Sequence, residues 1–521
     1  MAGSLAQGAL VAGATWVSLR LLKWAFDVNP LDNLPGPPGG SFLAGHFYEV
    51  FDPDGWDYQK GIAALYGSVI KLRGAFGSKA LFVYDPKALY HIIVKDQHIF
   101  EETEGFTIGN ALVFGKGLFA TTGAEHRKQR KALNPVFSTT HTRDMIPLFY
   151  DVAHKVRDSF GRIVSSGSQE IEVLDWMSPG LGHTFDSLTE DAEVNYYTRG
   201  VREYNDINNR LNIARLYILP LVYNIGTPNF RRWVIDILPW KTLKEMRDVV
   251  DILQSTAEEV AVARRVGRGK DIMSILLRAN IEASEEDKLS DDEFARGFTF
   301  AAMDTTSNAM SRTLHLLSQN PAAQDKLRAE IRQMYARYGR DRLEYDELES
   351  LPYLDAVCRE TLRVHPPVHT LMRDTREDIV LPFSKPVRGI DGSEIHEVLV
   401  PKGTTVFPSL QSSNCNPDIW GPDSFEWKPE RWIEGLPESV AKAKIPGIYS
   451  HLMTFIGGGR ACIGFKFAQL EMKVVLCSLL DKFKFSPVKG KEIRWKMTGI
   501  VTPAVAGEPG LQMPLIVGLA D

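Results

Sequence analysis

The sequence predicts a mainly α-helical fold with a small β-rich subdomain, and three observations lead there. Between Met145 and Leu317 the chain repeats segments whose apolar residues recur at three- and four-residue spacing, the period of amphipathic helices. Runs of β-type residues instead cluster toward the two ends: Val69 to Leu72, Ala80 to Val83, then Asp378 to Val406 and Trp495 to Val517. No internal repeat or low-complexity tract marks a solenoid or a disordered chain. At 521 residues the chain can bury a large core and enclose a cofactor without a partner.

Composition narrows the function classes. A net charge of -5 gives no reason to expect nucleic acid or another polyanion as partner. The four cysteines, Cys358, Cys415, Cys462 and Cys477, form no CxxC pair and no dense spacing, which argues against a disulfide scaffold or a structural zinc site and for a reducing, cytosol-facing location.

From the N-terminus, Leu5 to Leu19 is apolar apart from Gln7 and a few small or hydroxyl residues, and Arg20 and Lys23 follow. No charge precedes the run, so residues 1–33 read as an uncleaved membrane anchor and not as a signal peptide. A span needs about 20 apolar residues, reached here if Arg20 and Lys23 snorkel to the interface. Those charges then keep the rest of the chain on the cytoplasmic side. The alternatives are a surface-lying amphipathic helix or a disordered leader. Residues 34–41, rich in proline and glycine, read as a stiff hinge, and residues 42–521 as one catalytic domain.

Inside that domain, Gly74, Gly77 and Ser78 punctuate the first two strands, and Asp85-Pro86 opens a helix. His126 to Lys131 is a basic run on a helix that ends before Asn134-Pro135. Ser290 and Glu293 form a capping box at the head of a long helical run that stops before Pro321 and contains Ala301 to Thr306. Glu360 and Arg363, three apart, share a face of a helix that ends at Pro366-Pro367. Cys462 stands in the glycine-rich stretch Phe455 to Gly464, just before a helical pattern from Phe465 to Phe483. A thiolate there meets free amide N–H groups and the positive end of the helix dipole.

That stretch resembles the cytochrome P-450 haem-binding signature FxxGxRxCxG, with Phe455, Gly458, Arg460, Cys462 and Gly464 in all five fixed positions. The resemblance implies the cytochrome P-450 fold, haem b as cofactor, Cys462 as axial ligand of its iron, Phe455 packed near the sulfur and Arg460 on a propionate. Glu360 and Arg363 match the family's ExxR element, and Arg431 in Pro429-Glu430-Arg431-Trp432 matches the arginine that completes its structural cluster. Ala301 to Thr306 resembles the AGxDTT segment, which makes Asp304 a proton source and Thr305 the hydroxyl that relays protons during dioxygen reduction; Ala302 stands where glycine is usual. His126 and Arg130 occupy the positions of a WxxxR element, with His126 in place of tryptophan, and Arg373 that of a further propionate ligand.

No GxGxxG fingerprint sits in a strand-turn-helix context, so electrons come from outside. The resemblance implies NADPH as their source through a cytochrome P-450 reductase, with cytochrome b5 as a second donor. The remaining charges of the basic run, Arg127, Lys128 and Lys131, are the expected docking face for an acidic reductase domain. It also implies the endoplasmic reticulum membrane and a lipophilic substrate. Segments placed over the haem by resemblance, Phe106 to Phe114, Leu216 to Tyr223, Phe298 to Ala302, Val368 to Leu371 and Ile500 to Thr502, are largely apolar, with His369 and Thr502 as polar anchors. His126 to Ser138 is similar to fungal, especially basidiomycete, members, which points to hydroxylation or epoxidation of a terpenoid or other secondary metabolite. Detoxification of aromatic xenobiotics is an alternative, and rearrangement or dehydration without dioxygen is another that the Asp304-Thr305 pair disfavours.

Overall fold

A computed structural model describes residues 29–181, 196–265 and 291–521 of the chain. The expected anchor up to residue 28 and the cap residue Ser290 lie outside the described residues. No helix among the described residues is long and apolar enough to cross a membrane.

The chain is predominantly helical, with four small sheets among the described residues, and the largest of these joins the two ends of the sequence. Val69–Arg73 pairs antiparallel with Lys79–Val83, in register Val69 to Val83, and Lys79–Val83 pairs parallel with Thr405–Pro408. Arg373–Thr375 and Phe100–Glu101 complete the five strands. Leu31 and Leu34 are fully buried, and the Lys71 N–H donates to the Pro35 carbonyl at 2.8 Å, so the proline-rich stretch lies along the first strand.

Two departures from the sequence reading have local causes. Gln169–Glu172 is a strand inside the region read as helical, because it pairs with the distant Pro514–Leu519 and buries only Ile171. Such a short run has no helical or strand signal of its own; its partner decides it. The last helix, Phe465–Leu480, stops short of Phe483, which opens the strand Phe483–Pro487.

Two helices cross the core. Phe465–Leu480 buries every residue from Leu470 to Leu480, including Lys473, whose ammonium is neutralised by Glu349 at 2.8 Å and Asp355 at 2.9 Å. The long helix Asp291–Gln319 buries Ser307, Ser311 and Thr313 beside Met310 and Leu314. Two of these hydroxyls donate to their own helix: Thr313 to the Ala309 carbonyl at 2.9 Å and Ser307 to that of Asp304 at 3.1 Å. Asp85 caps the helix Pro86–Tyr90 by accepting from the Ala88 N–H at 2.9 Å, and its carboxylate also takes the Ser384 N–H and hydroxyl. This cap fixes the turn His91–Lys95 that follows, which lies against the cysteine loop.

Candidate functional site

Cys462 lies between the turn Gly458–Arg460 and the helix Phe465–Leu480, with its N–H donating to the Phe455 carbonyl at 2.9 Å. Cys358, Cys415 and Cys477 are buried thiols; burial pushes Cys358 up to about 12 and Cys415 up to about 11. Cys462 differs: it is set deep in the protein, yet its own surface is uncovered. Burial raises its pKa, while the Gly464 N–H and the Arg130 guanidinium act in the opposite sense. One sulfur of the four is thus presented on an open face and supplied with groups that stabilise a thiolate.

The glycines of this loop serve different ends. A Cβ on Gly457 would stand 1.9 Å from the Pro446 carbonyl oxygen, and Gly458, at φ +67°, would place one 2.2 Å from that of Ile93. Both are required by neighbouring backbone. Gly464 is another case: a Cβ there would meet nothing nearer than a Phe137 ring carbon at 4.0 Å. The protein leaves room for a side chain beside the sulfur, and the chain keeps that face clear. A flat macrocycle approaching Cys462 fits this surface, and the cations around it suit an acidic rim.

The basic residues around it come from three elements. His126, on the helix Gly123–Leu133, is buried, and burial together with Arg460, Arg130 and Arg127 brings its pKa down to about 4, so near neutrality it is an uncharged donor. Arg130 donates to the Asn134 side chain at 2.9 Å and to the Ala461 carbonyl, bracing the residue before Cys462. Arg460 pairs with Glu101 at 3.1 Å and donates to the Thr121 carbonyl at 2.8 Å. Arg373, buried, pairs with Glu102 at 2.8 Å. A cavity of about 120 Å³ brings His126, Arg373, Arg460, Glu101 and Gly459 to one lining. Arg130 lies just outside it, in a neighbouring surface hollow with His126 and Gly459. Glu101 and Glu102 have no local signal in the sequence: their partners are 359 and 271 residues away.

The loop is held from behind by Glu360. Its two oxygens accept from Arg363 Nε and Nη2, both at 2.8 Å, and neither side chain is exposed. The carboxylate also takes the Trp432 indole N–H at 2.9 Å, the Lys428 N–H at 3.0 Å and Arg431 Nε at 3.4 Å. Arg431 continues to Asp423 at 3.0 Å, and Arg363 to the carbonyls of Asn414, Ser424 and Glu426. Asn414 then accepts the Met453 N–H at 2.7 Å and donates to Thr454 at 2.9 Å, the residue before Phe455. A series of hydrogen bonds therefore runs from the charge pair through Asn414 to Thr454, and the backbone continues from there to Phe455, whose carbonyl receives the Cys462 N–H. Trp432, Asn414 and Thr454 are members that sequence spacing does not disclose.

On the long helix, Ala301, Ala302 and Thr305 form a half-buried stripe, and the Thr305 hydroxyl donates to the Ala301 carbonyl at 2.7 Å. Asp304 is buried on another face, where it accepts from Asn205 of the helix Tyr196–Arg210 and from Asn308 at 3.2 Å. Asn308, one turn from Asp304, is legible as a same-face neighbour; Asn205 is not. His369 and Thr502 are buried, and neither the His369 ring nitrogens nor the Thr502 hydroxyl has a hydrogen-bond partner among the described residues. In the segment Phe298 to Ala302, only Ala301 and Ala302 have described side chains.

The chain is similar to known proteins over most of its length. The sequence profile of the cytochrome P-450 family matches residues 35–509. The chain is 46% identical to cytochrome P-450 monooxygenase 91 of Postia placenta, over 97% of each chain. It is 44% identical to cytochrome P-450 monooxygenase 81 of the same fungus, over 98% of this chain and 97% of the relative. It is 39% identical to a ganoderic acid synthetase of Ganoderma lucidum, over 95% of each.

Replacing Arg363 by alanine leaves the buried Glu360 carboxylate without its guanidinium, a loss expected to cost roughly 3–5 kcal/mol in urea unfolding. A change below about 1 kcal/mol would mean that the pair does not hold the loop.

Proposed function

This chain belongs to the cytochrome P-450 monooxygenase family, and from that premise we propose that it inserts one oxygen atom of dioxygen into a lipophilic substrate at a haem b ligated by Cys462. The observation that carries the proposal is the open Cys462 sulfur at a helix N-terminus, beside a glycine whose missing side chain the protein does not itself require. Bound there, the haem would supply reduction and cleavage of dioxygen: the substrate C–H or C=C takes one oxygen atom, and two electrons and two protons carry the other to water.

The protein contributes the rest. His126, Arg130, Arg373 and Arg460 are the candidates to hold the haem propionates, with Glu101 and Glu102 offsetting part of the arginine charge. Phe455 meets the Tyr449 ring edgewise and the Phe465 ring at a tilt, which suits an apolar wall near the sulfur. Thr305 presents a hydroxyl on the half-buried stripe of the long helix, and Asp304 stands behind it as proton reservoir, oriented by Asn205 and Asn308. The family's redox partner is a reductase; the proposed electron source is NADPH, with cytochrome b5 as second donor. Arg127, Lys128 and Lys131 are exposed on the helix whose buried residues His126 and Gln129 face inward, which suits docking of an acidic partner near Cys462.

A terpenoid is the substrate class we favour. The ganoderic acid synthetase relative supports it, and the unpartnered polar atoms of His369 and Thr502 suit a large hydrocarbon carrying few hydroxyl or carbonyl groups. The endoplasmic reticulum membrane is the proposed location. Beyond the anchor at residues 1–33, Leu221, Ile225, Trp233 and Ile237 are 77%, 55%, 55% and 58% exposed, more apolar surface than a fully solvated helix pair carries. The ring of Tyr217, just before them, meets Phe76 at 6.2 Å, and Phe76 is itself exposed.

Thr305→Ala should retain haem and NADPH consumption but release hydrogen peroxide in place of product; an unchanged yield of product per NADPH would contradict the relay. Deleting residues 1–28, which spares the buried Leu31, should weaken binding to phospholipid vesicles without abolishing it, and adding Leu221→Asp with Trp233→Asp should remove the remainder. Full release by the deletion alone would show that this surface makes no membrane contact.

A further inference from the structure

The long helix carries a second set of chemistry one turn beyond Asp304 and Thr305. Asn308, Arg312, His315 and Gln319 recur at four-, three- and four-residue spacing and line a cavity of about 600 Å³. Arg312 is the anomaly in it. Its Nη2 lies 3.0 Å from both ring nitrogens of His365, and its guanidinium covers the Trp495 ring at 4.6 Å. Its Nε has no partner, and no carboxylate pairs with it among the described residues.

The groups in contact with Arg312 bring no negative charge. Burial together with Arg312, Arg363 and His315 holds His365 well below its ordinary pKa, and burial together with Arg312 brings His315 down to about 4. Trp495 donates its indole N–H to His315 Nδ1 at 3.1 Å, so that acceptor is taken. Burial alone brings the guanidinium itself down to about 9. At the mouth, Asp54 is neutralised by Lys496 at 2.6 Å, Lys60 lies over the Phe425 ring at 4.5 Å, and Arg494 pairs with Glu492 at 3.1 Å; Asp57 also lines the opening. An unpaired buried cation is costly, and the buried Arg363, Arg373 and Lys473 all meet carboxylates.

We propose that this cavity binds a carboxylate-bearing lipophile, with Arg312 gripping the carboxylate and the hydrocarbon lying along Trp56, Trp495 and Ala309. A single interior cation matches a monoanion, whereas a phosphate dianion would call for more than one. Trp56, Ala309, Pro367, Trp495 and Val501 give the otherwise polar lining an apolar wall that suits a hydrocarbon better than a small hydrophilic acid, and the volume is on the order of a medium ligand site. The inference stands on the cavity alone and is independent of the haem assignment. The acid is either a substrate or a ligand that binds without being oxidised; the chemistry of the site is common to both.

Calorimetric titration of the full-length, haem-loaded protein with decanoate and with decanol tests it. Decanoate should bind at least tenfold more tightly than decanol, and Arg312→Gln should bring decanoate to the level of decanol while leaving decanol unchanged. Equal binding of the two by the unaltered protein would overturn the proposal without recourse to any variant, as would undiminished decanoate binding by Arg312→Gln. A change in the haem spin state on decanoate binding identifies a substrate acid; binding with no spectral change identifies a non-substrate ligand.

Discussion

Everything near Cys462 depends on a charge pair that cannot be left incomplete. Glu360 and Arg363 are both fully buried, and every polar atom on them is directed to a neighbour. In a low-dielectric interior an ion pair adds little net stability over an apolar pair of equal size, but half of one is strongly destabilising. The physical effect is therefore geometric. The carbonyls of Asn414, Ser424 and Glu426 must converge on Arg363, Trp432 and Arg431 must converge on Glu360, and the chain through Asn414 and Thr454 then has one position available for Phe455. The sulfur is placed by the peptide that this network places.

The front of the loop follows a different logic. Backbone from Ile93 and Pro446 approaches so closely that Gly457 and Gly458 tolerate no side chain, and Asp85, by capping the preceding helix, sets where Ile93 runs. Arg373 and Arg460 stand in the same region already paired with Glu102 and Glu101. An anionic group brought to that rim shares its cations with two resident carboxylates, so the local charge is nearer to neutral than four basic residues suggest. With a haem bound at Cys462 as proposed, that balance would bear on how strongly the protein favours oxidised over reduced iron.

What the sequence disclosed was local. Cysteine, arginine and glycine in fixed register, an acid beside an alcohol in mid-helix, and glutamate three before arginine can each be read within ten residues, and the structure puts Glu360, Arg363 and Arg431 together in one cluster. Features closed by distant partners were not legible. The strand Gln169–Glu172 exists because Pro514–Leu519 lies beside it; Glu101, Glu102 and Asn205 acquire meaning only from residues about a hundred or more positions away. Arg312 belongs with these: on a helix it reads as a solvated cation, and only folding sets it among His365, His315 and Trp495. The glycines of the cysteine loop were legible as glycines but not as to purpose, since two of them answer to protein backbone and one to the open face beside the sulfur.

The central claim is that Cys462 ligates a haem iron. The absorption spectrum of the dithionite-reduced protein under carbon monoxide tests it most directly. Thiolate ligation predicts a strongly red-shifted Soret band that Cys462→Ala abolishes while Cys415→Ala, at a buried thiol, leaves it in place. A Soret band at the position given by histidine-ligated haem in the unaltered protein, or one that survives Cys462→Ala, would contradict the account.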